Sequence, residues 1–121
     1  MKIRIKGNSL RIRVSKSEVE KLASIGYLEE QTCFVDNALI YALQVKPNGD
    51  ELSADFINGK ITMYVPDALV KDWPVNDITG FNAKMPTSTP GSLILLLEKD
   101  FICLDTTAED QSDNYQNPKS C

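Results

Sequence analysis

The chain opens with Met1-Lys-Ile-Arg-Ile-Lys-Gly-Asn-Ser-Leu-Arg-Ile-Arg-Val14, where basic and apolar residues alternate on both sides of a Gly7-Asn8 turn. Successive side chains of a strand point to opposite faces, so this alternation predicts a half-buried β-hairpin. One face of the hairpin turns apolar residues to a core, and the other face carries five cations. The apolar set is Ile3, Ile5, Leu10, Ile12 and Val14, and the cations are Lys2, Arg4, Lys6, Arg11 and Arg13.

Five cations on one small surface suit an anion site, because arginine side chains donate paired hydrogen bonds to phosphate oxygens. The alternative is a solvated outer face, partly paired with the chain's own acidic tail, on which Lys and Arg stems cover apolar surface. No aromatic residue lies between these cations, which disfavours recognition of single-stranded nucleic acid by base stacking.

The charge of the chain is uneven, although its total is only −4. Residues 1–22 hold seven Lys and Arg against two Glu, whereas residues 98–121 hold two Lys against six acids. An acidic total disfavours broad binding of nucleic acid, which requires a clearly basic domain. A local basic face can still act alone, because salt limits the reach of distant charges to about 8–10 Å.

The 121 residues are enough for one domain with a core of its own. No apolar run reaches the roughly 18 residues of a membrane helix, and no signal peptide is recognisable. Three cysteines argue against a secreted disulfide framework, and we expect Cys33 and Cys103 to be buried. These observations predict a cytoplasmic protein with no membrane partner.

The chain contains no histidine. This removes the commonest general base, the usual partner of a Ser or Cys nucleophile, and the commonest transition-metal ligand. The composition therefore argues against an enzyme.

Local signals predict the order of the elements. Ser15-Lys-Ser-Glu18 has the spacing of a capping box, so a helix should cover 16–25 and end at Gly26. A helical turn is expected over 67–72, with Trp73 packed beneath the connection, and Asn58-Gly59 is typical of a tight hairpin turn. Further strands are predicted over 27–35, 38–45, 52–56, 61–65, 80–84, 92–97 and 101–104.

These elements predict an α+β fold, with a curved or partly closed antiparallel sheet of seven or eight strands and one main helix packed on it. Residues 1–104 would form a single domain, and residues 105–121 an irregular acidic tail docked on that domain.

The tail also offers oxygen ligands for a hard cation such as Ca²⁺. Its spacing does not match an EF-hand loop, so no cofactor is expected and a divalent cation is the one candidate left open. If the tail approaches the hairpin, its carboxylates could face the cations, as a phosphate-handling or metal-dependent hydrolase would need. The acidic residues concerned are Asp105, Glu109, Asp110 and Asp113.

Several longer motifs resemble a family of small bacterial proteins classed as a domain of unknown function. They are the first thirteen residues together with Tyr64-Val-Pro66, Lys71-Asp-Trp-Pro-Val75, Lys99-Asp-Phe-Ile-Cys-Leu-Asp105 and Glu109-Asp-Gln-Ser-Asp-Asn-Tyr-Gln-Asn-Pro118. The resemblance implies a bacterial, single-domain, cytoplasmic protein, and it brings no reaction, ligand or catalytic residue to this chain.

The sequence therefore predicts a small non-enzymatic binding or interaction module, whose basic hairpin face meets an anionic ligand or a protein partner. The hydrolase described above is the alternative, and a homodimer formed through an exposed strand edge is a third, structural, hypothesis.

Overall fold

The computed structural model describes residues 1–88, 91–101, 113 and 115. The described part of the chain forms, in order, β1 (Lys2–Lys6), β2 (Ser9–Val14), α1 (Lys16–Ile25), β3 (Tyr27–Cys33), β4 (Ala38–Lys46), β5 (Ser53–Ile57), β6 (Lys60–Pro66), α2 (Asp67–Val70), β7 (Gly80–Pro86) and β8 (Ser92–Lys99). Neither helix is long and apolar enough to cross a membrane.

The strands form two four-stranded sheets, the first in the order β1-β2-β8-β7 and the second in the order β3-β4-β6-β5. In each sheet two hairpins lie side by side, and their second strands run parallel to one another. The α+β class is confirmed, but the single curved or partly closed antiparallel sheet was wrong. Turn residues determine which strands form a hairpin, whereas the pairing between hairpins depends on contacts distant in the sequence.

Helix α1 carries the chain from the first sheet to the second and has the predicted bounds. The Ser15 side chain accepts a hydrogen bond from the Glu18 backbone, while the Glu18 carboxylate accepts one from the Ser15 backbone at 2.9 Å. At the other end Gly26 adopts φ 85°, a left-handed conformation that favours glycine. Both ends of the helix are therefore encoded locally.

Buried side chains from both sheets and from α1 form one apolar cluster. Trp73 is fully buried, as predicted, and its indole N–H donates to the Ile78 carbonyl at 2.8 Å. The cluster comprises Leu10, Ile12, Val14, Val19, Leu22, Leu28, Leu43, Leu52, Met63, Val65, Val70, Trp73, Ala83, Leu95 and Leu97.

Other predictions need correction at element ends. Cys33 is exposed rather than buried, because it ends edge strand β3, whose residues from 29 onward are all exposed. The helical turn is shorter than expected, and β8 runs on to Lys99, whose backbone N–H bonds the Thr79 carbonyl at 2.8 Å. Phe101 forms an isolated bridge with Tyr115, while residues 102–104 of that predicted strand lie outside the described residues.

Candidate anion-binding face

The five basic residues of the first hairpin share the outer surface of the first sheet, opposite the core. We call this set, Lys2, Arg4, Lys6, Arg11 and Arg13, the cationic face. The alternation works as predicted, since Leu10, Ile12 and Val14 are buried on the other side, although Ile5 is 59% exposed. The strand register adds a sixth cation, Lys84 of β7, to the same side of the sheet.

Like charges lie directly opposite each other on this surface. Lys2 is paired across the strands with Arg13, and Arg4 with Arg11. Opposed like charges destabilise an antiparallel pair by roughly 0.2–1 kcal/mol. The hairpin therefore carries an electrostatic cost that acidic neighbours or a bound anion would reduce.

Two carboxylates, Glu98 in β8 and Asp100 just after it, offset part of this cost. Glu98 lies 3.4 Å from the Nε atoms of both Arg11 and Arg13, and Asp100 lies 3.0 Å from the Lys2 ammonium group. Gly80 stands opposite Glu98 in β7, where a Cβ atom would come within 2.9 Å of the Glu98 Cγ. A glycine at this position thus leaves room for the glutamate.

These acidic partners were missed by sequence reasoning, which looked to the tail for counter-charges. Glu98 and Asp100 meet the cations only because β8 pairs in parallel with β2, bringing Glu98 opposite Arg13. In the sequence, Glu98 lies between the predicted strands 92–97 and 101–104, and nothing there indicates that β8 pairs with β2.

Arg4 and Lys6 form no ion pair with any residue of the described part of the chain. Together with Ser9 and Arg11 they line a cleft of about 190 Å³. The Nε atom of Arg11 is buried and makes no hydrogen bond, because its approach to Glu98 is not aligned for one. The cleft therefore combines three cations and a hydroxyl group, which are suitable groups for an oxyanion.

Of the four predicted metal ligands, Asp113 alone belongs to the described residues. Asp105, Glu109 and Asp110 lie outside the described residues, and Asp113 lies at the N-terminus of α1. Its carboxylate accepts hydrogen bonds from the Ser17 hydroxyl at 2.6 Å and the Ser17 backbone at 3.2 Å. These bonds, the hydroxyl's first, lower the pKa of Asp113 below its ordinary value. In this arrangement Asp113 caps a helix rather than facing the cationic face.

No group of three or more acidic, cysteine or histidine side chains that could hold a metal ion is found among the described residues. The described residues thus form a cleft lined by cations, and the metal site on the tail carboxylates stays a prediction. Cys103 and Cys121 also lie outside the described residues.

Fold and surface together define a small α+β domain of two mixed sheets, one of which has an outer face rich in cations. Residues 1–119 match the model of a family of unknown function (DUF7009), and the chain belongs to that family. The resemblance noted in the sequence is thereby confirmed. No curated protein and no solved structure matches the chain significantly.

Proposed function

We propose that this protein is a non-enzymatic binding module that takes an anionic partner on its cationic face. The observation that carries the proposal is the cleft of Arg4, Lys6, Ser9 and Arg11, in which two cations have no ion-pair partner among the described residues. A bound oxyanion would accept hydrogen bonds from these side chains and relieve the repulsion between Arg4 and Arg11.

The balance of charge on the outer surface supports an anion rather than a cation. Among the strand residues on that side of the first sheet, Glu98 is the one acid against six Lys and Arg. Glu98 lies 3.4 Å from both Arg11 and Arg13, so these three side chains together keep a net positive charge. A local field of this sign attracts anions although the whole chain is acidic.

The hydrolase alternative draws on the tail carboxylates Asp105, Glu109 and Asp113. Asp113 accepts hydrogen bonds from Ser17 at the N-terminus of α1, while Asp105 and Glu109 lie outside the described residues, so this alternative stays a prediction. The cytoplasmic location and bacterial origin expected from the sequence stay predictions.

Isothermal titration with inorganic triphosphate tests the proposal. Replacing Arg4 and Lys6 together by Gln removes the two unpaired cations, and we expect the affinity to fall by at least about tenfold, because each charge-assisted hydrogen bond contributes on the order of 1.5–3 kcal/mol. The matched control replaces Lys21 and Lys71 by Gln, since both are exposed and lie outside the first sheet. Equal affinities of the two double variants, both with unchanged circular dichroism, would refute the proposal.

A further inference from the structure

Strand β1 lies at an edge of the first sheet. It pairs with β2 on one side, and none of the described strands pairs with it on the other. An edge strand presents a row of backbone N–H and C=O groups to which an extended segment of another protein can add. Which groups of β1 point outward follows from the pairing of its neighbour β2.

The even-numbered residues of β2 turn their backbone groups towards β8. The Asn8 carbonyl just before β2 and the Val14 carbonyl at its end accept hydrogen bonds from backbone N–H groups of β8 and of the residue after it, at 3.0 and 2.8 Å. Because the backbone groups of successive residues point to opposite sides of a strand, the odd-numbered residues of β2 bond β1. The N–H and C=O groups of Ile3 and Ile5 therefore point away from the sheet. The residues of β1 that pair with those odd-numbered residues are Lys2, Arg4 and Lys6.

The two faces of this edge differ in chemistry. On the outer face Lys2, Arg4 and Lys6 follow one another at about 6.8 Å, twice the rise per residue of a strand. Neither Arg4 nor Lys6 has an ion-pair partner within the described part of the chain. On the inner face Ile3 is half-buried and Ile5 is 59% exposed. An added strand would therefore place alternate side chains beside cations and beside apolar surface.

The charge of β1 restricts what can add to it. If the β1 strands of two copies paired with their cationic faces on the same side, Lys and Arg would lie opposite Lys and Arg, which is unfavourable. Cations on an edge strand thus oppose self-association, while they favour a strand with carboxylates at the same spacing. The chain's own acidic stretch 105–113 lacks an alternation of acidic and apolar residues, since Ala108 is its one apolar residue.

The other edge strands of the two sheets suit an acidic strand less well. β5 and β7 are in contact with each other, because the Ala54 N–H donates to the Met85 sulfur at 3.4 Å. β3 carries Glu29 and Glu30, whose charge repels carboxylates. β1 is therefore the edge at which charge and backbone geometry agree.

We infer that the anionic partner is an extended protein segment in which acidic and apolar residues alternate, and that it adds to β1 as a further strand. Its carboxylates contact Arg4 and Lys6, its apolar side chains cover Ile3 and Ile5, and its backbone bonds the outward groups of these two isoleucines. Because the segment runs along the edge, its alternate side chains reach both faces of the sheet. The inference rests on the proposed function and adds the class of partner.

Two capped heptapeptides of the same composition test the inference by isothermal titration, at concentrations where both are monomeric. One alternates Glu and Val throughout, and the other has the sequence Glu-Glu-Val-Val-Val-Glu-Glu. We expect the alternating peptide to bind at least about tenfold more tightly, because it alone matches both faces of the edge at once.

The variant Ile5→Pro removes an outward N–H group and places the proline ring in the path of an added strand, while the bonds between β1 and β2 are kept. The matched control is Phe56→Pro, because Phe56 also precedes the closing pair of a two-residue hairpin turn on an edge strand and is 67% exposed. We expect Ile5→Pro to weaken binding of the alternating peptide at least about tenfold relative to Phe56→Pro. Its affinity for triphosphate should equal that of the wild type.

Methylated peptides test the backbone bonds on the wild-type protein, so the inference does not depend on the folding of Ile5→Pro. One peptide is N-methylated at its Val amides and the other at its Glu amides. Since only one of these two sets of N–H groups points towards β1, we expect the two peptides to differ in affinity. Equal affinities would overturn the addition of a strand.

The outcomes separate the inference from the proposed function. If the two unmethylated peptides bind equally while the Arg4 and Lys6 double variant still loses triphosphate binding, the class of partner is wrong and the anion site stands. Self-association of the wild type that Ile5→Pro abolishes, measured by sedimentation velocity, would assign the edge to a second copy and overturn the inference. Tighter binding of a single-stranded oligonucleotide than of the alternating peptide would likewise overturn it, in favour of nucleic acid.

Discussion

Arg4 and Arg11 face each other across the first hairpin, so reversing one of these charges should stabilise the protein in the absence of a ligand. The variant Arg4→Glu replaces a like-charge pair by an opposite-charge pair. Each cross-strand pair of charged side chains contributes roughly 0.2–1 kcal/mol to the free energy of unfolding. The substitution removes one repulsive pair and adds one attractive pair. Because Arg11 already lies 3.4 Å from Glu98 and its side chain is 30% exposed, we expect a net gain of about 1 kcal/mol.

Urea unfolding followed by circular dichroism measures this gain, which for a domain of this size corresponds to a rise in Tm of roughly 3–6 °C. The matched control is Lys6→Glu, which makes the same change of charge on the same strand but opposite Ser9, a neutral residue. The free energy of unfolding should increase less than half as much in Lys6→Glu as in Arg4→Glu.

High salt should reduce the difference in unfolding free energy between these two variants, since the charge interaction between residue 4 and Arg11 is exposed to solvent. Arg4→Glu should also lose triphosphate binding, because it places a negative charge in the cleft. An equal gain for both variants, or a loss of stability in Arg4→Glu at low salt, would refute the argument from the strand register.

Three further predictions concern the described structure. Gly80→Ala should destabilise the protein by about 1–3 kcal/mol in urea unfolding, because the new Cβ would lie 2.5 Å from the Leu97 carbonyl oxygen; an unchanged midpoint would contradict this. Lys99 is buried, and desolvation lowers its pKa, so the unfolded chain binds the proton more tightly than the folded protein. The stability of the wild type relative to Lys99→Met should therefore rise as the pH increases towards the ordinary lysine value, and a pH-independent difference would be the contrary result. Asp113 has a lowered pKa because Ser17 donates hydrogen bonds to it. Its contribution to stability is therefore present above the ordinary aspartate pKa and is lost as the pH falls through the pKa of the folded state. The stability of Asp113→Asn should approach that of the wild type in acid, as thermal unfolding at a series of pH values would show. A difference in stability that stays constant with pH would exclude stabilisation by the ionised Asp113 carboxylate.

Much of the local structure could be predicted because its causes lie close together in the chain. Ser15 and Glu18 determine the start of α1, and Asn58 and Gly59 adopt φ values of 52° and 76° in the turn between β5 and β6. Exposure was less predictable than element type. Cys33 lies in a strand, as expected, but whether a strand residue is buried depends on how far the opposing layer extends.

The candidate site, too, could be predicted only where its causes are local in the sequence. Alternation alone placed Lys2, Arg4, Lys6, Arg11 and Arg13 on one surface, because the side-chain period of a strand is two. Which of these cations are neutralised could not be predicted, since Glu98 is separated from Arg13 by most of the chain and reaches it only through the pairing of β8 with β2. The contact of Asp113 with Ser17 at the N-terminus of α1 could not be predicted either, because 96 residues separate the two in the chain.

By itself the sequence determined the hairpins, the limits of α1 and the surface on which the basic residues lie, because those features follow from the conformational preferences and periodicity of neighbouring residues. Only the tertiary structure decided that the hairpins pair through parallel second strands into two sheets. That pairing brings Glu98 to Arg11 and Arg13 while Arg4 and Lys6 have no ion-pair partner among the described residues, and an apolar groove opens between the inner faces of the two sheets. Both results depend on contacts between residues far apart in the chain, which are selected by the burial of a shared core rather than by any local signal.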